Sequence, residues 1–187
     1  YYSSSGNGSC TNCADGSYMA STSHTNTSCS LCSALTAPSV TGGTFSTGGS
    51  TGSTANTACR YVAPDKDTPS NCSGISKNTV SYSGSAWGTN FYTVTANAGS
   101  YITANNTKSP TCSVCPIGSY TTSAGTQTSC TVCGSSDTTK GKTTSGTGKT
   151  SCDANCSNNN KVSTWTTASW SSGAPANVCK VSACGAG

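Results

Sequence analysis

Apolar positions in this 187-residue chain are sparse and come in ones and twos. No stretch repeats them at the three-to-four spacing of an amphipathic helix, and none is long enough to cross a membrane as a helix. Residues 79–83, 90–95 and 161–165 concentrate Val, Tyr, Phe, Trp and Thr, and each predicts a short strand. Residues 41–57 and 135–151 are almost wholly Gly, Ser, Thr, Ala, Asn, Lys and Asp, with Phe45 the one aromatic. They predict loops that do not order themselves without neighbours or attached glycans. The pattern therefore predicts mostly loops with short β-strands and little or no helix.

A longer pattern lies over the first. Cys13-Ala14-Asp15-Gly16-Ser17-Tyr18 runs to Cys29-Ser30-Leu31-Cys32, and Cys115-Pro116-Ile117-Gly118-Ser119-Tyr120 runs to Cys130-Thr131-Val132-Cys133. A degenerate copy, Ala96-Asn97-Ala98-Gly99-Ser100-Tyr101 to Cys112-Ser113-Val114-Cys115, has Ala96 where the first cysteine belongs. Cys184-Gly185-Ala186-Gly187, joined to Tyr1-Tyr2 and on to Cys10-Thr11-Asn12-Cys13, completes a fourth. The matching ends predict one period of something longer, a tandem array of cysteine-rich modules with an elongated form. Residues 1–95 are then a first cysteine-rich half, 96–183 a second, and 184–187 the start of the next module. Cys10, Cys13, Cys29, Cys32, Cys59 and Cys72 match Cys112, Cys115, Cys130, Cys133, Cys152 and Cys156, as an old duplication would leave them.

Composition explains why cysteines are needed. Leu, Ile, Val and Phe number only 16 of 187 residues, below the ~20% under which chains are usually disordered. Burial at ~25 cal/mol per Å2 cannot offset ~1–2 kcal/mol per ordered residue from so few side chains. Fourteen cysteines change that outcome, since each disulfide restricts the unfolded chain by ~2–4 kcal/mol. All fourteen are expected in disulfides, which implies an oxidising, extracellular setting. The connectivity stays open, because six cysteines per half allow 15 arrangements. Cys179 and Cys184 have Phe91 and Ala96 as counterparts. They pair with each other, or Cys184 pairs with Cys10 of a neighbouring copy.

Charge and chemistry narrow the function classes. The net charge of +4 is spread thinly, with no basic run for nucleic acid or a lipid surface. Asn7, Asn26, Asn71, Asn105 and Asn155 head N-glycosylation sequons, and abundant Ser and Thr offer O-linked sites. Catalysis has little to use. His24 is the only histidine and lies in a polar loop, and Asp15, Asp65, Asp67, Asp137 and Asp153 are scattered. Ser145-Gly146-Thr147-Gly148-Lys149-Thr150 imitates a phosphate-binding loop but lacks the first glycine, which should stand at Thr143. The sharpest rival is zinc, because Cys10-x2-Cys13-x15-Cys29-x2-Cys32 has the spacing of a four-thiolate site. Tyr2, Tyr18, Tyr101 and Tyr120 recur once per module, as rings covering a local disulfide would. Trp87, Trp165 and Trp170 lie in the spacers.

The Cys-x-x-Gly-x-Tyr…Cys-x-x-Cys repeat resembles the modules of ephrin-receptor-like and tumour-necrosis-factor-receptor-like proteins. With its Ser/Thr/Ala/Asn-rich background and long period, it is similar to ciliate surface immobilisation antigens. The resemblance covers residues 1–32, 96–133 and 184–187. It implies the pairings Cys13–Cys29 and Cys115–Cys130, and an extracellular coat protein with any lipid anchor placed elsewhere. The expected protein is non-enzymatic and structural, one glycosylated repeat of a surface-coat or filament array. It needs no cofactor or metal, and its partner is itself, head to tail, as covalent repeats or as subunits. It makes no contact with nucleic acid and has no membrane span. The alternatives are a receptor or adhesion ectodomain for a protein or glycan ligand, and a zinc-binding module.

Overall fold

A computed structural model describes residues 2–3, 10–20, 28–135, 141–156, 162–165 and 181–184. The described chain is small, disulfide-rich and built of short strands and loops, without an α-helix. Its helical content is two single 3-10 turns, Cys32–Ala34 and Asn56–Ala58. Strands run over Thr79–Ser81, Tyr92–Ala96 and Val162–Trp165, where Val, Tyr and Thr cluster in the sequence.

Antiparallel hairpins of two to five residues a strand recur along the chain. Ser17–Tyr18 pairs with Ser30–Leu31, and Ser119–Tyr120 with Thr131–Val132. Ser100–Ala104 pairs with Thr111–Val114, and Tyr2–Ser3 with Cys10–Thr11. In all four, the tyrosine is opposite the residue after the first cysteine of Cys-x-x-Cys: Tyr2 with Thr11, Tyr18 with Ser30, Tyr101 with Ser113, Tyr120 with Thr131. The register is fixed at the turn. Gly16, Gly99 and Gly118 adopt φ of +79°, +76° and +87°, as the third position of a type II turn requires. Each glycine carbonyl then accepts the amide of the closing cysteine: Cys32 to Gly16 at 2.9 Å, Cys115 to Gly99 at 2.8 Å, Cys133 to Gly118 at 2.8 Å.

A fifth hairpin obeys the same rule without the motif. Lys142–Thr143 pairs with Ala154–Asn155, Gly141 has φ +72°, and Cys156 N–H donates to the Gly141 carbonyl at 2.7 Å. Thr143 replaces the tyrosine, and three residues separate Cys152 from Cys156.

By its internal contacts the chain divides into two units. The first comprises residues 1–66, 76–93 and 106–109. It holds a three-stranded antiparallel sheet in the order Thr44–Ser46, Arg60–Val62, Thr79–Ser81. Residues 44–46 thus form a strand inside a segment expected to be loop, because Phe45 stands opposite Tyr61 and buries part of its ring there. Around that pair lie Trp87, Phe91 and Tyr82, with ring centroids 4.9–6.2 Å apart in tilted or edge-on contacts. Trp87, placed by the sequence in a spacer, is a core residue, and its indole N–H donates to the Thr36 carbonyl at 2.6 Å. Tyr61 is pinned at both ends of its hydroxyl, donating to Val40 O at 2.7 Å and accepting from Gly43 N–H at 2.8 Å.

The second unit comprises residues 67–75, 94–105 and 110–187. Its apolar clusters are small. Val94, Ala96 and Ile102 pack around Cys72 and Cys112, while Val132 and Cys133 are flanked by Tyr120 and Cys152. Ala96 is fully buried, with its amide and carbonyl both bonded to Gly125 at 2.7 and 3.0 Å.

Candidate functional site

Disulfides are the chain's main chemical feature. The bonds with both ends among the described residues are Cys13–Cys29, Cys32–Cys59, Cys72–Cys112, Cys115–Cys130 and Cys133–Cys152. Each joins a cysteine to the next one along the sequence. Cys13–Cys29 and Cys32–Cys59 in the first half stand at the positions of Cys115–Cys130 and Cys133–Cys152 in the second. Cys72–Cys112 is the bond that the motif did not suggest. Ala96 cannot serve Cys112, and the adjoining apolar cluster brings Cys72 to it instead. Cys156 is also disulfide-bonded. Cys10, expected in a disulfide, is free and exposed, with no bond to any cysteine among the described residues. Cys179 lies outside the described residues, and of Cys184 only the strand backbone is described.

A second device clamps the turns. Gly16 N–H donates to Thr47 Oγ1 at 3.3 Å, and Gly118 N–H to Thr144 Oγ1 at 2.8 Å. A few residues on, Gly52 N–H donates to Cys13 O at 2.9 Å and Gly148 N–H to Cys115 O at 2.8 Å. So a Thr…Gly loop from the following hairpin sits across each Cys-x-x-Gly turn. Thr121 and Gly125 occupy the same places over Gly99 and Ala96, although there the Thr121 carbonyl accepts the Gly99 amide at 3.0 Å. This ordering of residues 47–52 and 144–148 is absent from the sequence patterns, because serine, threonine and glycine carry no periodic signal.

Each clamp loop is tied by one carboxylate. Asp15 Oδ1 accepts from Gly16 N–H at 3.0 Å, Thr47 Oγ1 at 2.8 Å, Gly49 N–H at 3.2 Å and the Thr47 amide. The backbone and side-chain bonds from Thr47 hold its pKa below the usual carboxylate value. Asp153 accepts from the Ser145 hydroxyl and amide, each at 2.7 Å, and pairs with Lys149 at 2.9 Å. Those groups, the Ser145 hydroxyl foremost, hold it well below the carboxylate range. The phosphate-loop look-alike therefore has its Lys149 and its Ser145 and Gly148 amides engaged within the chain.

The remaining candidates are dispersed. Asp65 forms an exposed ion pair with Lys77 at 2.8 Å. His24, Asp137, Trp170, Asn7 and Asn26 lie outside the described residues, and the side chains of Tyr2, Asn155 and Trp165 are not described. Asn71 is half-buried with φ +64°, and Asn105 is half-buried with its Oδ1 accepting the Val94 amide at 3.0 Å. Tyr18 is buried, whereas Tyr101 and Tyr120 are half-buried. Of the four sulfurs in the zinc spacing, Cys13, Cys29 and Cys32 are in disulfides, and a disulfide sulfur is not the thiolate that zinc binds. Among the described residues no three His, Cys, Asp or Glu side chains converge as a metal site. None of the described helices is long and apolar enough to cross a membrane. A shallow groove of about 230 Å3 in the first unit is lined by Pro38, Phe45, Tyr61 and small residues. No family model, curated protein or solved structure matches the chain.

Proposed function

We propose that this chain is a structural extracellular protein, one repeat of a surface-coat or filament-forming array, carrying glycans on its Asn and Ser/Thr side chains. The five disulfides among the described residues fit a secreted or extracellular protein. The observation that carries the structural reading is the single hairpin register repeated at Tyr2, Tyr18, Tyr101 and Tyr120. A chain whose successive hairpins clamp one another by Thr…Gly loops has the means to receive a further hairpin of the same kind. Copies of the chain then meet head to tail, and a heterologous contact that does not close gives an open fibre. The motif and its Ser/Thr-rich background support kinship with ciliate surface immobilisation antigens. The work done is mechanical and steric, by protease-resistant modules in series.

Sedimentation and negative-stain electron microscopy of the secreted, oxidised chain test this reading. Concentration-dependent oligomers or fibres are expected. A monodisperse monomer that binds a protein or glycan saturably overturns it in favour of a receptor or adhesion ectodomain.

A further inference from the structure

Asn71 stands where comparable turns of the chain carry glycine. The Cys72 amide donates to the Pro69 carbonyl at 3.1 Å, so residues 69–72 form a β-turn with Asn71 third, at φ +64°. The turns at Gly16, Gly99 and Gly118 close in the same way: Ser17 to Ala14 at 3.1 Å, Ser100 to Asn97 at 3.0 Å and Ser119 to Pro116 at 3.1 Å. A strand opens directly after each of the four. Glycine takes a positive φ freely, and asparagine is among the few side-chain-bearing residues that tolerate it. Its side chain therefore needs its own account. Asn106, the other non-glycine at positive φ among the described residues, accepts the Thr93 hydroxyl on its Oδ1 at 3.2 Å. Asn105 Oδ1 accepts the Val94 amide. The Asn71 carbonyl accepts the Asn97 amide at 2.9 Å, but its side-chain amide has no hydrogen-bond partner among the described residues. Ser70 and Ser73 beside it are exposed.

The second observation is the order in which sulfurs become available. Asn71-Cys72-Ser73 is a sequon, and in the folded chain its middle residue is 7% exposed and bonded to Cys112. A bonded, buried Cys72 holds the tripeptide against the apolar cluster and closes it to a transferase. The bonded cysteines before it, Cys13, Cys29, Cys32 and Cys59, pair among themselves. Its own partner lies 40 residues ahead, the longest separation among the described bonds. At about 5–20 residues per second of synthesis, Cys72 waits ~2–8 s for Cys112.

We propose that Asn71 is N-glycosylated during synthesis, before Cys72 pairs with Cys112, and that the glycan leaves the folded protein at the turn between Ser70 and Ser73. The inference rests on the secreted, glycan-bearing reading above. The donor is an oligosaccharide carried on a lipid diphosphate. Asn71 Nδ2 attacks its anomeric carbon, the bond from that carbon to the diphosphate oxygen breaks, and the lipid diphosphate leaves. One amide proton passes to a base of the transferase, so the product is a secondary amide joined to the sugar.

The test secretes the full 187-residue chain from a eukaryotic cell behind a cleaved signal peptide. N-glycans are then removed enzymatically in 18O water, which leaves 18O-labelled aspartate wherever a glycan stood, and peptides are mapped by mass spectrometry. Label at position 71 in the majority of chains is expected. Asn71→Gly removes one glycan from the intact mass while the Cys72–Cys112 bond and the exchange protection of the Cys115 amide persist, because glycine suits the turn. Position 71 unlabelled in the majority of chains, beside labelled asparagines elsewhere, overturns the proposal and leaves the glycosylated reading standing. Label at 71 that appears only in Cys72→Ser/Cys112→Ser shows that pairing comes first, and also overturns it. A secreted chain with no label at any asparagine overturns the proposal and N-glycosylation of the chain together.

Discussion

The two units use one hairpin grammar and differ in what surrounds it. In the first, Phe45, Tyr61, Tyr82, Trp87 and Phe91 make an aromatic cluster, with Val80 buried nearby. In the second, the buried apolar groups are mostly the cysteines themselves with single Val, Ile or Ala neighbours. The first unit thus adds ordinary side-chain burial to its two disulfides. The second has three disulfides described at both ends, a further bonded cysteine at Cys156 and a ladder of turn hydrogen bonds, with little apolar area to fall back on. The difference separates what a disulfide supplies, a smaller unfolded ensemble, from what a core supplies, favourable burial in the folded one.

Breaking the aromatic cluster is the strongest way to test that division. Trp87→Ala is expected to cost the first unit about 3–5 kcal/mol, the usual range for deleting a large buried aromatic side chain. Denaturant unfolding monitored by amide hydrogen exchange reads this unit by unit, and protection of the Gly141 hairpin should be unchanged. Next in size is removal of a staple in the second unit. Replacing Cys133 and Cys152 together by serine opens a bond of sequence separation 19 and should cost ~2–4 kcal/mol, with the 141–156 hairpin losing protection first. Equal losses in both units would contradict the comparison.

A smaller, sharper change probes the clamp. At Gly99 a Cβ would meet Gly148 O at 2.1 Å, and φ is +76°. Gly99→Ala should therefore cost more than the ~1–2 kcal/mol of a left-handed backbone alone. Gly48→Ala, with φ +71° and nothing within 4 Å, should cost only that amount. Thermal unfolding of the two variants checks the ordering. The smallest effect is electrostatic. Asp15 and Asp153 have folded pKa values below the unfolded value of about 3.9. Their contribution is fully present above that value and is lost as pH falls through the lowered folded values. Both carboxylates are exposed, so the slope is shallow. Asp15→Asn should flatten the acid limb of the first unit's stability and Asp153→Asn that of the second, each leaving the other unit's limb alone.

Much of this was legible in the sequence, and for definable reasons. Scarce aliphatics with fourteen cysteines predict a disulfide-stapled, helix-poor chain, and Val/Tyr/Thr clusters mark three of the strands. The aromatic cluster was hidden because its members, Phe45, Tyr61 and Trp87, are far apart in the chain and meet only across a sheet. The Gly141 hairpin was hidden because only its glycine and closing cysteine keep their roles. Cys72–Cys112 follows from a missing cysteine at Ala96, which a motif search registers as a gap rather than as a new partner. The ordered Gly/Ser/Thr loops depend on hydrogen bonds accepted by the side chains of Thr47, Thr144, Asp15 and Asp153, which no periodic pattern in the sequence marks.

The central claim is that covalent bonds supply the order that sixteen Leu, Ile, Val and Phe residues cannot. Amide hydrogen exchange of the fully reduced, alkylated chain tests it most directly. The account predicts that the amides of Cys115, Cys133 and Cys156, each bonded to a turn glycine, exchange at unstructured rates after reduction, while the oxidised chain protects them. Retained protection at those three amides in the reduced chain would contradict it.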